Sequence, residues 1–272
     1  MNSALLTQLL DDLAQEGSEL DLLVAELPAA AWATPTPAAG WTIAHQIAHL
    51  AGTDEVARLA VVDPDEFRTQ RDRVDPTANG TIDAAAEAGA AAAPDELLHR
   101  WRTARAALAS ALLALPQGTR IPWFGPDMGA TSMATARLME VWAHGVDVRD
   151  ALHLPTLATS RLRSVAHLGV RTRDFAFYQR SLNPPAAEFR VELTGPNGEP
   201  WTWGPPDAAQ RVTGPALDFC LCVTRRRHRD DLALQVIGDD ANRWIDVAQA
   251  YAGPPGPGRR PSRDSTEDSI PR

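Results

Sequence analysis

Positive charge is scarce in this chain, cysteine is nearly absent, and no apolar run reaches membrane-spanning length. The 272 residues carry 26 basic and 35 acidic side chains, a formal net charge of -9. This balance argues against a nucleic-acid binder, because no broad basic surface is available to displace counterions from phosphates. One dense basic run, Arg225-Arg226-Arg227-His228-Arg229, is answered at once by Asp230 and Asp231. It reads as a solvated helix end, with a local anion site as the lesser reading. Cys220 and Cys222 stand too close for an ordinary framework disulfide. They read as small packing residues, a ligand or redox role being left open. No stretch is long and apolar enough to span a bilayer. The beginning has no basic head before its apolar residues, so it reads as neither signal nor transit peptide. The expectation is a soluble cytoplasmic protein with neither nucleic acid nor membrane as partner.

What is present is enough for a substantial core and two domains: 44% of the residues are hydrophobic. Leu5, Leu9, Leu13, Leu20, Leu23 and Leu27 recur at helical spacing, predicting an amphipathic helix over residues 4–27. A second helix carries Ile43, Ile47, Leu50, Val56 and Leu59 until Pro64 stops it, and a polar section follows to about Gly80. Residues 94–115 form a third, opened by Pro94. A fourth runs from a cap at Thr131 or Ser132 to about Leu152. Four long helices suggest a bundle; residues 82–92 carry a weaker helical signal. A further helix over 157–178 connects to a mixed domain. There Glu188-Phe-Arg-Val-Glu-Leu-Thr alternates as a strand, Pro196-Asn-Gly-Glu turns, and Trp201 to Trp203 returns. A helix after Pro215, a strand over 234–237 and a helix ending near Tyr251 complete it. The expected division is 1–155 bundle, 156–185 connector, 186–253 small α/β domain and 254–272 disordered tail.

The chemistry-bearing residues are dispersed. His45 and His49 lie one helical turn apart in Trp41-Thr-Ile-Ala-His45-Gln-Ile-Ala-His49-Leu50. Glu140 and His144 do so in Leu138-Met-Glu140-Val-Trp-Ala-His144-Gly-Val-Asp147. A histidine from the first segment with Glu140 and His144 would make a three-ligand metal site, which leaves a coordination position open as a catalytic zinc requires. On residue chemistry alone His45 competes for a place in the set, and the bland alternative is hydrogen-bonded histidines beside an ion-paired Glu140. Asp54 and Asp147 could orient an imidazole. Trp123 and Phe124, in the loop before the Glu140 helix, are candidate cavity walls that could equally plug the bundle. His167 and Arg171 form a candidate catalytic pair on the connecting helix, Arg171 being suited to a carboxylate. Tyr178 extends the same face.

Taken together, the Trp41 to Leu50 segment and Arg137-Leu-Met-Glu140-Val-Trp-Ala-His144-Gly-Val-Asp147 resemble the amino-terminal domain of mycothiol-dependent maleylpyruvate isomerases, within the DinB-like metal-binding superfamily. The resemblance implies an α+β protein, a DinB-like four-helix bundle followed by a small sterol-carrier-like α/β domain. It selects His49, Glu140 and His144 as ligands of Zn2+ or another divalent metal. It implies mycothiol as thiol cofactor and a small electrophilic substrate, carboxylate-bearing in the isomerases. By their own placement, in the loop before the Glu140 helix and on the connecting helix, Trp123, Phe124, His167 and Arg171 are the expected organic-ligand contacts. Val212-Thr-Gly-Pro215 carries the likeness into the small domain. The segment Ala166-His-Leu-Gly-Val-Arg171-Thr-Arg-Asp-Phe resembles a separate actinobacterial branch. Transfer or isomerisation is the activity expected. The alternatives are a thiol-independent metal-dependent hydrolase, lyase or cyclase, and a metal-containing small-molecule binding protein without turnover.

Overall fold

The computed structural model describes residues 2–73 and 80–262. The chain divides into two compact units, one reaching Thr156 and including Ala252–Pro254, the other formed by Leu157–Tyr251 and the segment from Pro255. Of the tail expected to be disordered, residues 263–272 lie outside the described residues, as do residues 74–79 of the polar section.

The first unit is a helical bundle. Helix α1 (Asn2–Ala25), α2 (Ile43–Val62), α5 (Pro94–Ala114) and α6 (Ala130–Ala151) are the long members. Packing runs α1 on α6, α2 on α5 and α2 on α6. Each buries a stripe at helical spacing: Leu9, Leu13, Leu20 and Val24 from α1, Ile43, Ile47 and Leu50 from α2, Leu97, Trp101, Leu108 and Leu112 from α5. At roughly 1.5–3 kcal/mol per fully buried large apolar side chain, these stripes supply most of the bundle's stabilisation.

Two short helices complete the unit. Pro64 ends α2 as expected, but it also opens α3 (Pro64–Arg71) inside the expected polar section. Proline suits a first helical position, and the Asp63 carboxylate accepts from the Glu66 N–H at 3.1 Å. Helix α4 (Gly80–Ala90) packs on α2. A Cβ at Gly89 would lie 2.8 Å from that of Ala48, so glycine is what permits the close approach. The cap of α6 is Gly129, without a side-chain hydrogen bond, in place of Thr131 or Ser132.

The second unit is a small open α/β domain. The expected connecting helix breaks at Thr172 into α7 (Leu162–Arg171) and α8 (Arg173–Tyr178). Strands β1 (Phe189–Thr194), β2 (Pro200–Trp203), β3 (Gln210–Pro215) and β4 (Gln235–Ile237) form one sheet in the order β2-β1-β3-β4. The β1–β2 pair is the expected hairpin, Leu193 facing Trp201, while β1 and β3 run parallel with Val191 facing Val212. Strand β3 takes up the Val212-Thr-Gly-Pro215 segment. Helices α9 (Ala216–Val223) and α10 (Asp239–Val247) follow. Phe189 and Phe219 meet Trp244 edge-on at 5.6 and 5.9 Å, making an aromatic centre.

Candidate metal centre

His49 projects from α2, and Glu140 and His144 from successive turns of α6. Their ligand atoms all lie within 4.8 Å of one another. His144 Nε2 is 3.2 Å from Glu140 Oε2, His49 Nε2 is 3.9 Å from the same oxygen, and the two imidazole centroids are 4.6 Å apart. Tetrahedral zinc with bonds of about 2.0–2.1 Å holds its donors roughly 3.3 Å apart, so small side-chain adjustments suffice. This His/His/Glu cluster could chelate a divalent metal.

The hydrogen bonds around His144 argue for a cation. The Gln46 amide donates through Nε2 to Thr36 Oγ1 at 2.9 Å, and that hydroxyl donates to the Trp41 carbonyl at 2.9 Å. The Gln46 oxygen is therefore left to accept from His144 Nδ1, 2.5 Å away. With its proton on Nδ1, a neutral His144 turns the Nε2 lone pair toward the Glu140 carboxylate. Two donors of electrons facing each other in a buried site require a proton or a metal ion between them. Burial alone would raise the Glu140 carboxyl, but the His144 and His49 imidazoles hold it well below the usual carboxylate range. Its charged, ligating form is the favoured one.

His45 is excluded from the set by its own partners. Its Nδ1 accepts from the Thr42 N–H at 3.2 Å, and its Nε2 meets Glu87 of α4 at 2.6 Å. It closes the start of α2 in a capping box with Thr42. Asp54, expected to orient an imidazole, instead receives Arg137 Nε at 2.8 Å, with both side chains 3% exposed. Arg137 also donates to Thr53 Oγ1 at 2.8 Å, and that hydroxyl to the His49 carbonyl at 2.7 Å. This pair pins α2 to α6 one turn from the ligands. Burial pushes the Asp54 carboxyl up, against the pull of Arg137. Asp147 is buried.

Trp123 stacks on Phe67 of α3 at 5.7 Å, and Phe124 sits edge-on to both rings. His167 and Arg171 belong to α7 of the second unit, both exposed. His167 Nδ1 accepts from Trp203 Nε1 at 3.1 Å, and burial of part of the ring, with the charges of Arg171 and Arg163, pushes its pKa down. Tyr178 is exposed at the end of α8. Cys220 and Cys222 are buried free thiols, raised by burial, Cys222 to about 12. Neither is available as a thiolate at neutral pH.

The sequence reading passed over Gln46, Thr36, Trp41 and Arg137 as working parts. Gln46 had a signal: it falls on the stripe formed by Ile43, Ile47 and Leu50, and is fully buried. Trp41 closes one side of the site, its ring 5.2 Å from His49 and 6.0 Å from His144, and its Nε1 donates to Asp83 of α4 at 3.0 Å.

Known proteins share sequence and fold with this chain. The family model described as the mycothiol maleylpyruvate isomerase N-terminal domain matches residues 13–149. The chain belongs to this family. A second model, described as wyosine base formation, matches residues 185–235 of the small domain. Among relatives of the whole chain are the uncharacterized proteins MT0041 and Rv0036c of Mycobacterium tuberculosis. Each is 57% identical over 248 residues, covering 91% of this chain and 96% of the relative. Crystal structures of the mycothiol-dependent maleylpyruvate isomerase and of a histidine-to-alanine mutant superpose with TM-scores of 0.57 and 0.58. Both cover 85% of this chain and 92% of the isomerase at 17% identity. This chain thus has the DinB-like bundle followed by an open α/β domain, and its fold is similar to that of the isomerase. A potential metal triad on this fold supports metal-dependent activity.

Proposed function

We propose that the protein is a metal-dependent enzyme that uses a low-molecular-weight thiol, mycothiol, against a small electrophilic substrate, as a thiol transferase or an isomerase. The observation that carries this reading is the convergence of His49, Glu140 and His144, three donors on two helices with room in the coordination sphere for an exogenous ligand. A divalent cation such as zinc held there lowers the pKa of a bound thiol or water toward neutrality. The buried thiols of Cys220 and Cys222 cannot take the nucleophile's part, so a thiol nucleophile would have to come from outside the chain. The family's name supports mycothiol as the thiol.

The chain's own residues have definable tasks in this reading. Gln46 keeps His144 in the tautomer that presents Nε2, Arg137 and Asp54 hold the two ligand helices in register, and Trp41 shields one side of the site from water. Trp123 and Phe124 are proposed to contact the organic ligand. Arg171 is proposed to take a substrate carboxylate through its planar guanidinium, and His167, kept neutral, to exchange a proton.

The direct test offers zinc-loaded protein a panel of electrophiles with and without mycothiol, following adduct mass and cis/trans isomerisation beside a His144→Ala control. Thiol-dependent conversion lost in the control supports the proposal. Thiol-independent conversion lost in the same control points to metal-activated water. Tight binding without conversion across the panel points to a binding protein.

A further inference from the structure

Helix α4 is alanine and glycine for most of its length, and its charged residues are Asp83 and Glu87 alone. They stand one turn apart on one face, where like charges repel. Both are turned toward the start of α2. Asp83 Oδ1 accepts from Trp41 Nε1 at 3.0 Å, and Glu87 Oε2 meets His45 Nε2 at 2.6 Å. Of the helix's own residues Ala86 and Gly89 are buried, both too small to hold it by apolar area. The two carboxylates therefore set the register of α4 against the segment that carries Trp41.

The main chain of Trp41 is fixed without help from α4. Its carbonyl accepts from the Thr36 N–H at 2.8 Å, its own N–H donates to the Ala38 carbonyl at 2.9 Å, and Pro35 pairs with Thr42 in a β-bridge. Gly40, at φ 78°, makes the turn between them. What remains free is the pair of side-chain torsions, and an indole has a single hydrogen-bond donor with which to settle them. That donor is given to Asp83. A carboxylate accepting from it makes a stronger bond than a neutral oxygen would. So held, the ring lies 5.2 Å from that of His49 and 6.0 Å from that of His144, within 18° of parallel to the latter.

We propose that Asp83 is a positioning residue of the metal centre: by holding the Trp41 indole across His49 and His144, it makes that ring a gate on the coordination position the three ligands leave open. This role rests on the metal-dependent reading above. In the metal-free protein the ring protons of His49 and His144 carry the ring-current shift of the indole. Asp83→Ala, which puts the best helix former into an alanine-rich turn, should move those resonances. Asp83→Asn keeps an acceptor oxygen and should leave them in place. Stopped-flow mixing with Zn2+, and then with a chromophoric chelator, reads entry and exit. A gate opens for both alike, so Asp83→Ala should speed zinc uptake and release by the same factor, roughly threefold to tenfold, and leave the dissociation constant within about twofold. Trp41→Phe removes the same bond from its other end, and adding Asp83→Ala to it should change the rates no further. Unmoved histidine resonances in Asp83→Ala would overturn the positioning role. So would an equal further acceleration in the Trp41→Phe background, or faster release with a weaker dissociation constant and unchanged uptake. Zinc bound and exchanged at wild-type rates by Asp83→Ala defeats the gate alone, whereas a wild type that takes up no zinc defeats the metal reading and the gate with it.

Discussion

His144 shows how a single side chain's chemistry depends on its neighbours' hydrogens. Its Nε2 can serve as a metal ligand because Nδ1 is committed to Gln46, and Gln46 can accept only because its amide nitrogen is committed to Thr36. Gln46→Leu should therefore leave the bundle folded yet weaken zinc binding by about 10–100-fold, the usual cost of removing a group that orients a ligand. Competition against a chromophoric chelator reads the affinity. Nitrogen chemical shifts of His144 in the metal-free variant should report a mixture of tautomers where the wild type shows one. If the affinity is unchanged, the relay is ornamental to the metal. Glu140→Gln and His144→Ala should each lower bound zinc far below one equivalent by elemental analysis, since both remove a donor outright.

At the scale of elements, the ion pair between Asp54 and Arg137 clamps α2 to α6 from within the core. Arg137→Leu leaves a buried carboxylate without its partner and should cost about 3–5 kcal/mol in chemical unfolding at neutral pH. The pH dependence follows from the direction of the Asp54 shift. Burial raises its folded pKa above the unfolded value, so its favourable contribution is present at low pH and lost as the pH rises through that raised value. Without Arg137 the shift grows, and the deficit relative to wild type should shrink as the medium is acidified. A deficit that widened in acid would show that Asp54 is not the group left stranded. Helix α3 provides a smaller test: Asp63→Ala removes the acceptor for the Glu66 N–H and should cost about 1 kcal/mol.

For the whole molecule, the candidate metal ligands belong to the helical unit and the sheet to the other. Removal of zinc by a chelator should lower the unfolding midpoint, and re-addition at about 100 times its dissociation constant should restore about 2.7 kcal/mol. Hydrogen exchange localises the effect. Amides of α2 and α6 should gain protection on metal binding, whereas those of β1 and β3 should not. Equal gains in both units would contradict a site confined to the bundle. No helix among the described residues is long and apolar enough to cross a membrane.

Periodicity in the chain was sufficient to place the long helices of the bundle and the β1–β2 hairpin, because apolar spacing and turn residues act locally and are written in consecutive positions. The polar section after Pro64 hid α3, since proline both stops one helix and starts the next. Thr172 split the connecting helix where no breaker residue marks the sequence, and β3 lay unannounced beside Gly214. Residue chemistry and family likeness together singled out His49, Glu140 and His144. Spacing alone could not choose between His45 and His49, which are both one turn from each other on one helix. Tertiary structure made that choice by giving His45 to Thr42 and Glu87 and bringing His49 across to α6. It likewise gave Asp54 to Arg137, and it put Gln46 within reach of a histidine 98 residues away. Such pairings are settled by which helix faces meet, and that is a property of packing between distant segments, which no local pattern contains.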